Sequence, residues 1–379
     1  MQILIATGIY APDIGGPATY VKELEKELPE RDIQVELVSY SDEDSIEGDP
    51  EYLFRINRDA PIWKRYFCYA KKIWQRRKEF DLIYVQDPVS AGVPVWIASK
   101  LIRKPYILKV VGDYAWEQGK QRFGVTENPD DFQTKKYSFA VELMRFLQKR
   151  VAKNAKKIIV PSEYLKSIVS HWVKNTEKIH VVYNTLNIEG HEKSKEEIRK
   201  ELGLSGFVML SVARLVPWKG FLTLISVAKQ LKDNGKKFTL FIIGEGPQRI
   251  EIEAKIKGLD LENEVKLLGR QPHKMVLDYL SASDLFVLNT EYEGLSHLLL
   301  EASFLSCPVL TTNVGGNPEV IKNGVNGMLV DYDDAKALQE QIEKVMDSGF
   351  DLDKEKVDEF FRRFEKKALF DALVGHLKK

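Results

Sequence analysis

Cysteine is nearly missing: only Cys68 and Cys307 occur among 379 residues, far apart and without metal-ligand spacing. That excludes a disulfide framework and points to a reducing, cytoplasmic compartment. Histidine is scarce too, with six in the chain. His273 and His297 form no ligand cluster, so no metal is expected. No apolar run approaches the roughly 20 residues that span a bilayer. The opening "MQILIAT" reads as a strand, with no basic leader and no small-residue cleavage site, so no signal peptide is expected. Short-period repeats and low-complexity segments are missing as well.

What is present is an ordinary globular composition, 44% apolar, 10% aromatic and 30% charged. The length favours two domains over one core. Net charge is zero, yet its distribution is uneven: residues 51–190 hold 26 Lys/Arg against 14 Asp/Glu. One half of the chain therefore carries a basic surface. No recognition motif accompanies that charge, so nucleic acid is not an expected partner.

Short Val- and Ile-rich runs alternate with helical patterns. "QILIAT", "QVELVSY", "LIYVQD", "YILKVVGD", "KIIVPS" and "IHVVYN" read as strands in the first half. "VMLSVAR", "FTLFIIGEG", "EVKLLG", "LFVLNT" and "PVLTTN" repeat the pattern in the second. Such alternation predicts right-handed βαβ units and two parallel sheets with helices on both faces. Strand character stops near "NIEGHEKSKEEIRKEL", which predicts a domain over 1–188, a linker at 189–202 and a second domain over 203–355.

Ligands of open parallel sheets bind at the carboxyl ends of the strands, so the exit loops matter most. After the first strand, Gly15 and Gly16 precede an amphipathic helix with Pro17 in its first turn. That loop is either an anion site at a helix N-terminus or simply a turn. In "SVARLVPWKGF", Arg214 and Lys219 flank a Pro-containing turn. Two cations there can neutralise a leaving diphosphate, unless they are ordinary surface charges. "IIGEGPQR" offers Gly244 and Gly246 without the third glycine of a dinucleotide fingerprint. "NTEYEGLSHLLLEAS" places Glu293 in an exit loop and Glu301 in the helix that follows, with Ser296 as its cap. From Leu295 to Glu301 the helix climbs on the order of 9 Å. Glu301 stands among Leu298, Leu299, Leu300 and Ala302, and a charge in that company needs a partner. "DYDD", 331–334, contains Asp-x-Asp but reads as a helix cap.

The stretch "EYEGLSHLLLEASFLSCPVLTTNVGGNPEVIKNGVNGMLV" resembles the signature region of retaining family 4 (group 1) glycosyltransferases of the GT-B fold. "VARLVPWKG", the first glycine loop, "IIGEGP" and "VKLLGRQPHKMVLDYLSASDLFVL" match the same pattern in order, so the resemblance covers nearly the whole chain. It implies an α/β architecture of two Rossmann-like domains with parallel sheets facing across a central cleft. A last helix, 356–379, would cross back to the N-terminal domain. It also implies a sugar-nucleotide donor, UDP- or GDP-linked, with no further cofactor. Glu301 would take the ribose hydroxyls. Glu293 with Gly294, Leu295 and Ser296 would hold the sugar and phosphate. Arg214 and Lys219 would grip the diphosphate with Gly15 and Gly16, while Gly269 and Arg270 would lie near the base and Gly244 and Gly246 in the donor site.

Two departures from the family pattern stand out. Val111 occupies the place where many relatives carry histidine, which leaves either the backbone near Val111 or the Asp113 side chain to act there. Thr185 stands where glycine is frequent. The implied reaction is hexose transfer with retention to a glycan or lipid-linked acceptor. A sugar-nucleotide epimerase or hydrolase of similar fold and a non-catalytic sugar-nucleotide-binding module stand as alternatives.

"PIWKRYFCYAKKIWQRRKEF", 61–80, sets Trp63, Tyr66, Phe67, Ala70, Ile73 and Trp74 on one helical stripe. Lys64, Arg65, Lys71, Lys72, Arg76, Arg77 and Lys78 share it, with no acid before Glu79. The helix either rests peripherally on the anionic inner face of a membrane or packs its aromatics on the sheet with its charges in water.

Overall fold

The computed structural model describes residues 1–13, 15–184 and 193–378. The chain divides into two compact units, Met1–Tyr183 with Lys367–Lys379, and Asn184–Lys366. The position of Thr185 lies outside the described residues.

The first unit contains β1 (Gln2–Thr7), α1 (Gly16–Glu27), β2 (Gln34–Ser41), β3 (Leu53–Asn57), α2 (Ile62–Gln75), β4 (Leu82–Val85), α3 (Gly92–Ile102) and β5 (Tyr106–Lys109). It continues through α4 (Tyr114–Arg122), α5 (Pro129–Phe132), α6 (Phe139–Asn154), β6 (Lys157–Val160), α7 (Glu163–Ser170) and β7 (Ile179–Val181). Its seven strands are ordered β3-β2-β1-β4-β5-β6-β7. Every pair is parallel, with Ile3 opposite both Val35 and Leu82. Ile3, Leu4, Ile5 and Ala6 are all buried, because helices cover both faces of the sheet and leave no strand position for a solvated side chain.

The second unit runs α8 (Lys195–Glu201), β8 (Phe207–Val212), α9 (Phe221–Asp233), β9 (Phe238–Ile243), α10 (Arg249–Gly258), β10 (Val265–Gly269), α11 (His273–Ala282) and β11 (Leu285–Leu288). Then come α12 (His297–Phe304), β12 (Val309–Thr312), β13 (Gly327–Val330), α13 (Ala335–Ser348) and α14 (Lys354–Phe361). The parallel sheet is ordered β10-β9-β8-β11-β12-β13. Its core joins Met209, Leu240 and Val287 to Leu224 and Ile225 of α9. Asp334 of "DYDD" accepts from the Ala337 amide at 2.9 Å and caps α13.

Four readings change. The stretch 356–379 is two helices, α14 and α15 (Lys366–Lys378), separated by a 3-10 turn at Arg362–Phe364. Phe370 and Leu373 of α15 join Ile3, Ile5 and Leu24 in the first unit's core. The segment expected to be a linker contains α8, whose Ser194 and Glu197 form a reciprocal capping box. Lys195 and Arg199 bind that helix to Asp284 at 2.8 and 3.0 Å. On α2 the supposed single stripe is two faces: Tyr69 and Ile73 are buried, whereas Trp63, Phe67 and Trp74 point to solvent. Of its cations, Arg65 donates to the Arg58 carbonyl at 2.9 Å, Lys72 lies 4.9 Å from the Phe54 ring, and Arg76 binds Glu36. These three serve the fold, and Lys64, Lys71 and Lys78 remain exposed.

Asp113 is the fourth. It is wholly buried and caps α4, accepting from the Trp116 amide at 3.1 Å. Gln148 donates to one carboxylate oxygen at 2.9 Å and Gln133 to the other at 2.8 Å. Burial pushes its pKa up, against these hydrogen bonds. Its place after β5 left Asp113 open as a polar group of the site or as a cap of its neighbours, and here it caps α4 with both oxygens engaged in the fold. Asp113→Ala removes a cap and strands two buried amides, which should cost about 2–4 kcal/mol of folding free energy. Denaturant unfolding of the variant measures it, and a loss below about 1 kcal/mol would contradict this role.

Candidate active site

The order of the second sheet reverses between β8 and β11, which opens a crevice at their carboxyl ends. Arg214, Lys219 and Glu293 all lie on the loops that leave these two strands.

The loop after β8 does not leave its neighbour at once. Ala213 donates to the Ile243 carbonyl at 3.1 Å and Leu215 to that of Glu245 at 3.0 Å. For the two backbones to run this close, Gly244 adopts φ +147°, and a Cβ on it would lie 1.9 Å from the Ala213 oxygen. One on Gly246 would lie 2.3 Å from the Leu215 oxygen. The two glycines expected to meet a ligand thus first serve to hold the Arg214 loop in place.

The same loop is then stitched to the exit of β11. Glu291 donates to the Trp218 carbonyl at 2.8 Å, Thr290 to the same oxygen at 3.2 Å, and Asn289 to that of Gly220 at 3.1 Å. Lys219, ending a 3-10 turn, is delivered to Glu293, with Nζ 2.5 Å from Oε1 and both side chains less than one-fifth exposed. Arg214 is exposed, with no ion pair among the described residues.

Below Glu293 lies the glycine pair Gly315-Gly316. The Gly316 amide donates to the Glu293 carbonyl at 2.9 Å, and a Cβ there would meet the Gly294 oxygen at 2.3 Å. Asn317 donates to the Thr312 carbonyl at 3.1 Å and fastens this turn to β12. Gly294, Leu295 and Ser296 are buried. Ser296 caps α12 through the Leu299 amide at 3.4 Å, as its position before the leucines suggests.

Glu301, on α12, is 8% exposed. Its Oε1 lies 2.9 Å from Nε2 of His273, the first residue of α11. Its Oε2 is buried and has no hydrogen-bond partner. A carboxylate oxygen left this way lowers stability unless a ligand hydroxyl or amide completes it. At the end of β10, Gly269 has φ +66° and accepts from the Gly244 amide at 2.9 Å, and Arg270 is exposed. Among the described residues, the second unit therefore carries an exposed arginine and a Lys-Glu pair on the exits of β8 and β11, and a half-satisfied buried carboxylate on the helix that follows β11. Such a set suits an anion next to several hydroxyls.

In the first unit, Gly15 precedes α1 without a side-chain cap and Gly16 is its first residue. The helix N-terminus is left to its backbone amides. Val111, at 39% exposure, offers only backbone and an apolar side chain.

His273, Asn289, Asn317 and the seat of Gly315-Gly316 were not assigned from sequence. For His273 a signal existed: a glutamate among leucines demands a partner, and "QPHKMV" held one.

Residues 194–364 match the family described as glycosyl transferases group 1, and residues 14–189 that described as glycosyltransferase family 4. An uncharacterised glycosyltransferase of Methanocaldococcus jannaschii is 28% identical over 90% of this chain and 87% of its own. The 2-deoxystreptamine N-acetyl-D-glucosaminyltransferase of Niallia circulans is 32% identical over 36% of each chain, so this chain spans about a third of that relative. HepE of Anabaena, solved with UDP and glucose, superposes with a TM-score of 0.77 at 21% identity, covering 100% of this chain and 99% of its own. Two parallel-sheet Rossmann-like units carrying these matches in sequence along nearly the whole length define a GT-B protein, and the chain belongs to the group 1, family 4 glycosyltransferases.

Proposed function

We propose that the protein transfers a hexose from a nucleotide-diphosphate sugar, UDP- or GDP-linked, to a glycan or lipid-linked acceptor with retention at the anomeric carbon and without a metal. The observation that carries the reading is the buried, unpartnered Oε2 of Glu301 in the unit that holds Arg214 and the Lys219-Glu293 pair. The HepE complexes with UDP and with UDP-glucose support a nucleoside-diphosphate donor.

In this scheme Glu301 accepts from the ribose hydroxyls, held by His273. Glu293 and the backbone of Gly294, Leu295 and Ser296 take the sugar hydroxyls and phosphate, with Gly269 and Arg270 beside the base. Gly244 and Gly246 keep the Arg214 loop in reach, and the amides that Gly15 and Gly16 leave free on α1 suit phosphate.

The C1–O bond to the diphosphate breaks, leaving positive character on the sugar ring and negative charge on the leaving oxygen. Arg214 and Lys219 stabilise that charge as it forms. Lys219 and Glu293 hold each other in place through their ion pair, with Glu293 facing the sugar. The acceptor hydroxyl attacks C1 from the face the diphosphate leaves, and its proton passes to the departing phosphate oxygen. Asp113 has both oxygens engaged in the fold and takes no part.

Arg214→Ala should lower turnover by about 10²–10³-fold with an unchanged melting temperature, since the side chain is exposed. Lys219→Ala should lower turnover and stability together, because it leaves the Glu293 carboxylate mostly buried and unpaired. Acceptor-dependent release of nucleoside diphosphate, read beside thermal melts, measures both. Unchanged turnover in the double variant would remove the two cations from the mechanism. Release without any acceptor would favour a hydrolase.

Glu301→Gln should weaken UDP or GDP binding by about 10–100-fold through loss of charge-assisted hydrogen bonds. A 2′,3′-dideoxy diphosphate should bind wild type and variant alike. Calorimetric titration with both ligands tests the contact, and an equal loss for the two would place Glu301 away from the ribose.

A further inference from the structure

We infer that the outer surface of α2, α3 and α6 in the first unit is a docking face for an anionic lipid surface. These helices pack side by side. Each already buries its own apolar side chains: Tyr69 and Ile73 on α2, Val95 and Ala98 on α3, Val141 and Val151 on α6. Each also turns a second apolar set outward, which the core does not need.

On α2 that set is Trp63, 74% exposed, Phe67 at 65% and Trp74 at 48%. On α6 it is Phe139 at 84%, Leu143 at 45% and Phe146 at 60%, spaced as one face of a helix. Between them α3 adds Leu101, 71% exposed. Scattered apolar residues on a surface need no explanation, whereas large apolar side chains on three adjoining helices, aromatic on two of them, mark an interaction site.

Charge selects the occupant. Neither α2 nor α3 contains an acid, and the single one on α6, Glu142, accepts from Arg145 at 2.7 Å. Cations stand among the rings: Arg77 lies 4.1 Å from the centre of Trp74. Lys100 of α3 and Arg150 of α6 both lie against Trp96, at 4.9 and 5.7 Å. A second copy of the chain on a two-fold axis would set this basic face, with Lys64, Lys71 and Lys100, against the same basic face. An anionic bilayer neutralises them and takes the rings at its interface. Among the described residues no helix is long and apolar enough to cross a membrane, so the contact is with the surface.

The face involves no residue of the proposed donor site, and vesicle binding is measured without any sugar nucleotide, so its failure and that of the transferase reading are separable. The full chain is sedimented with phosphatidylcholine vesicles with and without phosphatidylglycerol. It should partition at least about tenfold better to the anionic vesicles and be released by salt. Trp63→Ser with Phe67→Ser, Phe139→Ser and Phe146→Ser should lose about tenfold or more of that binding. So should Lys64→Glu with Lys71→Glu and Lys100→Glu, both with an unchanged melting temperature. If the serine variant does not fold, the charge variant carries the test. No sedimentation with either vesicle, equal binding to both, or equal binding by wild type and variants would overturn the proposal. So would a wild-type dimer in sedimentation velocity that the serine variant dissolves, which would assign the face to self-association.

Discussion

The second unit depends on backbone meeting backbone where its sheet reverses. The exit of β11 rests on the turn after β12 at Gly316, and the exit of β8 lies along that of β9 at Gly244. At both contacts a Cβ would lie well inside van der Waals contact distance of a carbonyl oxygen, so no other residue type fits without moving a strand end. Those two contacts decide where Glu293 and Lys219 come to rest. The resulting pair is mostly buried, and its desolvation offsets much of its attraction. It contributes little to stability, and its value lies in keeping a cation and a carboxylate ready at fixed positions.

Much of this was legible in the chain because the relevant signals are local. Apolar strands alternating with helical segments give parallel sheets, and strand exits followed by glycine give the loops. The misses have physical causes. β3 was overlooked because "LFRIN" is an edge strand whose Arg55 leaves the ladder face to bind Asp49 at 2.7 Å. α8 was hidden in polar sequence because a short helix anchored by ion pairs needs little apolar character, although Ser194 and Glu197 were its signature. Asp113 stayed open between site and cap because position after a strand does not reveal whether a side chain turns out to solvent or back onto its own helix.

The α2 misreading is instructive. At about 100° per residue, Trp63, Phe67 and Trp74 fall within ~40° of one another, and Tyr66, Tyr69 and Ile73 form a second group roughly 100° away. Taking six apolar residues as one stripe merged a packing face with a solvent face. Helical geometry gives the two groups, and the structure shows which of them is buried. Once separated, the cations divide as well: Arg65, Lys72 and Arg76 lie toward the sheet side, and Lys64, Lys71 and Lys78 lie outward.

Glu301 and the outer surface of α2 and α6 give up stability without return inside the fold. Glu301 keeps an unpartnered oxygen among leucines although a glutamine or leucine would pack there at lower cost. On the outer surface, Trp63 and Phe139 sit in water although polar residues would serve the helix equally well. Folding alone accounts for neither. A carboxylate half satisfied by His273 is already oriented before a ligand arrives, so binding does not have to order it. Rings held on packed helices are likewise ordered in advance, and docking on a surface would cost them little conformational entropy. In both cases the loss in the free protein is what the proposed contacts, a ribose on Glu301 and an anionic surface on the rings, would recover.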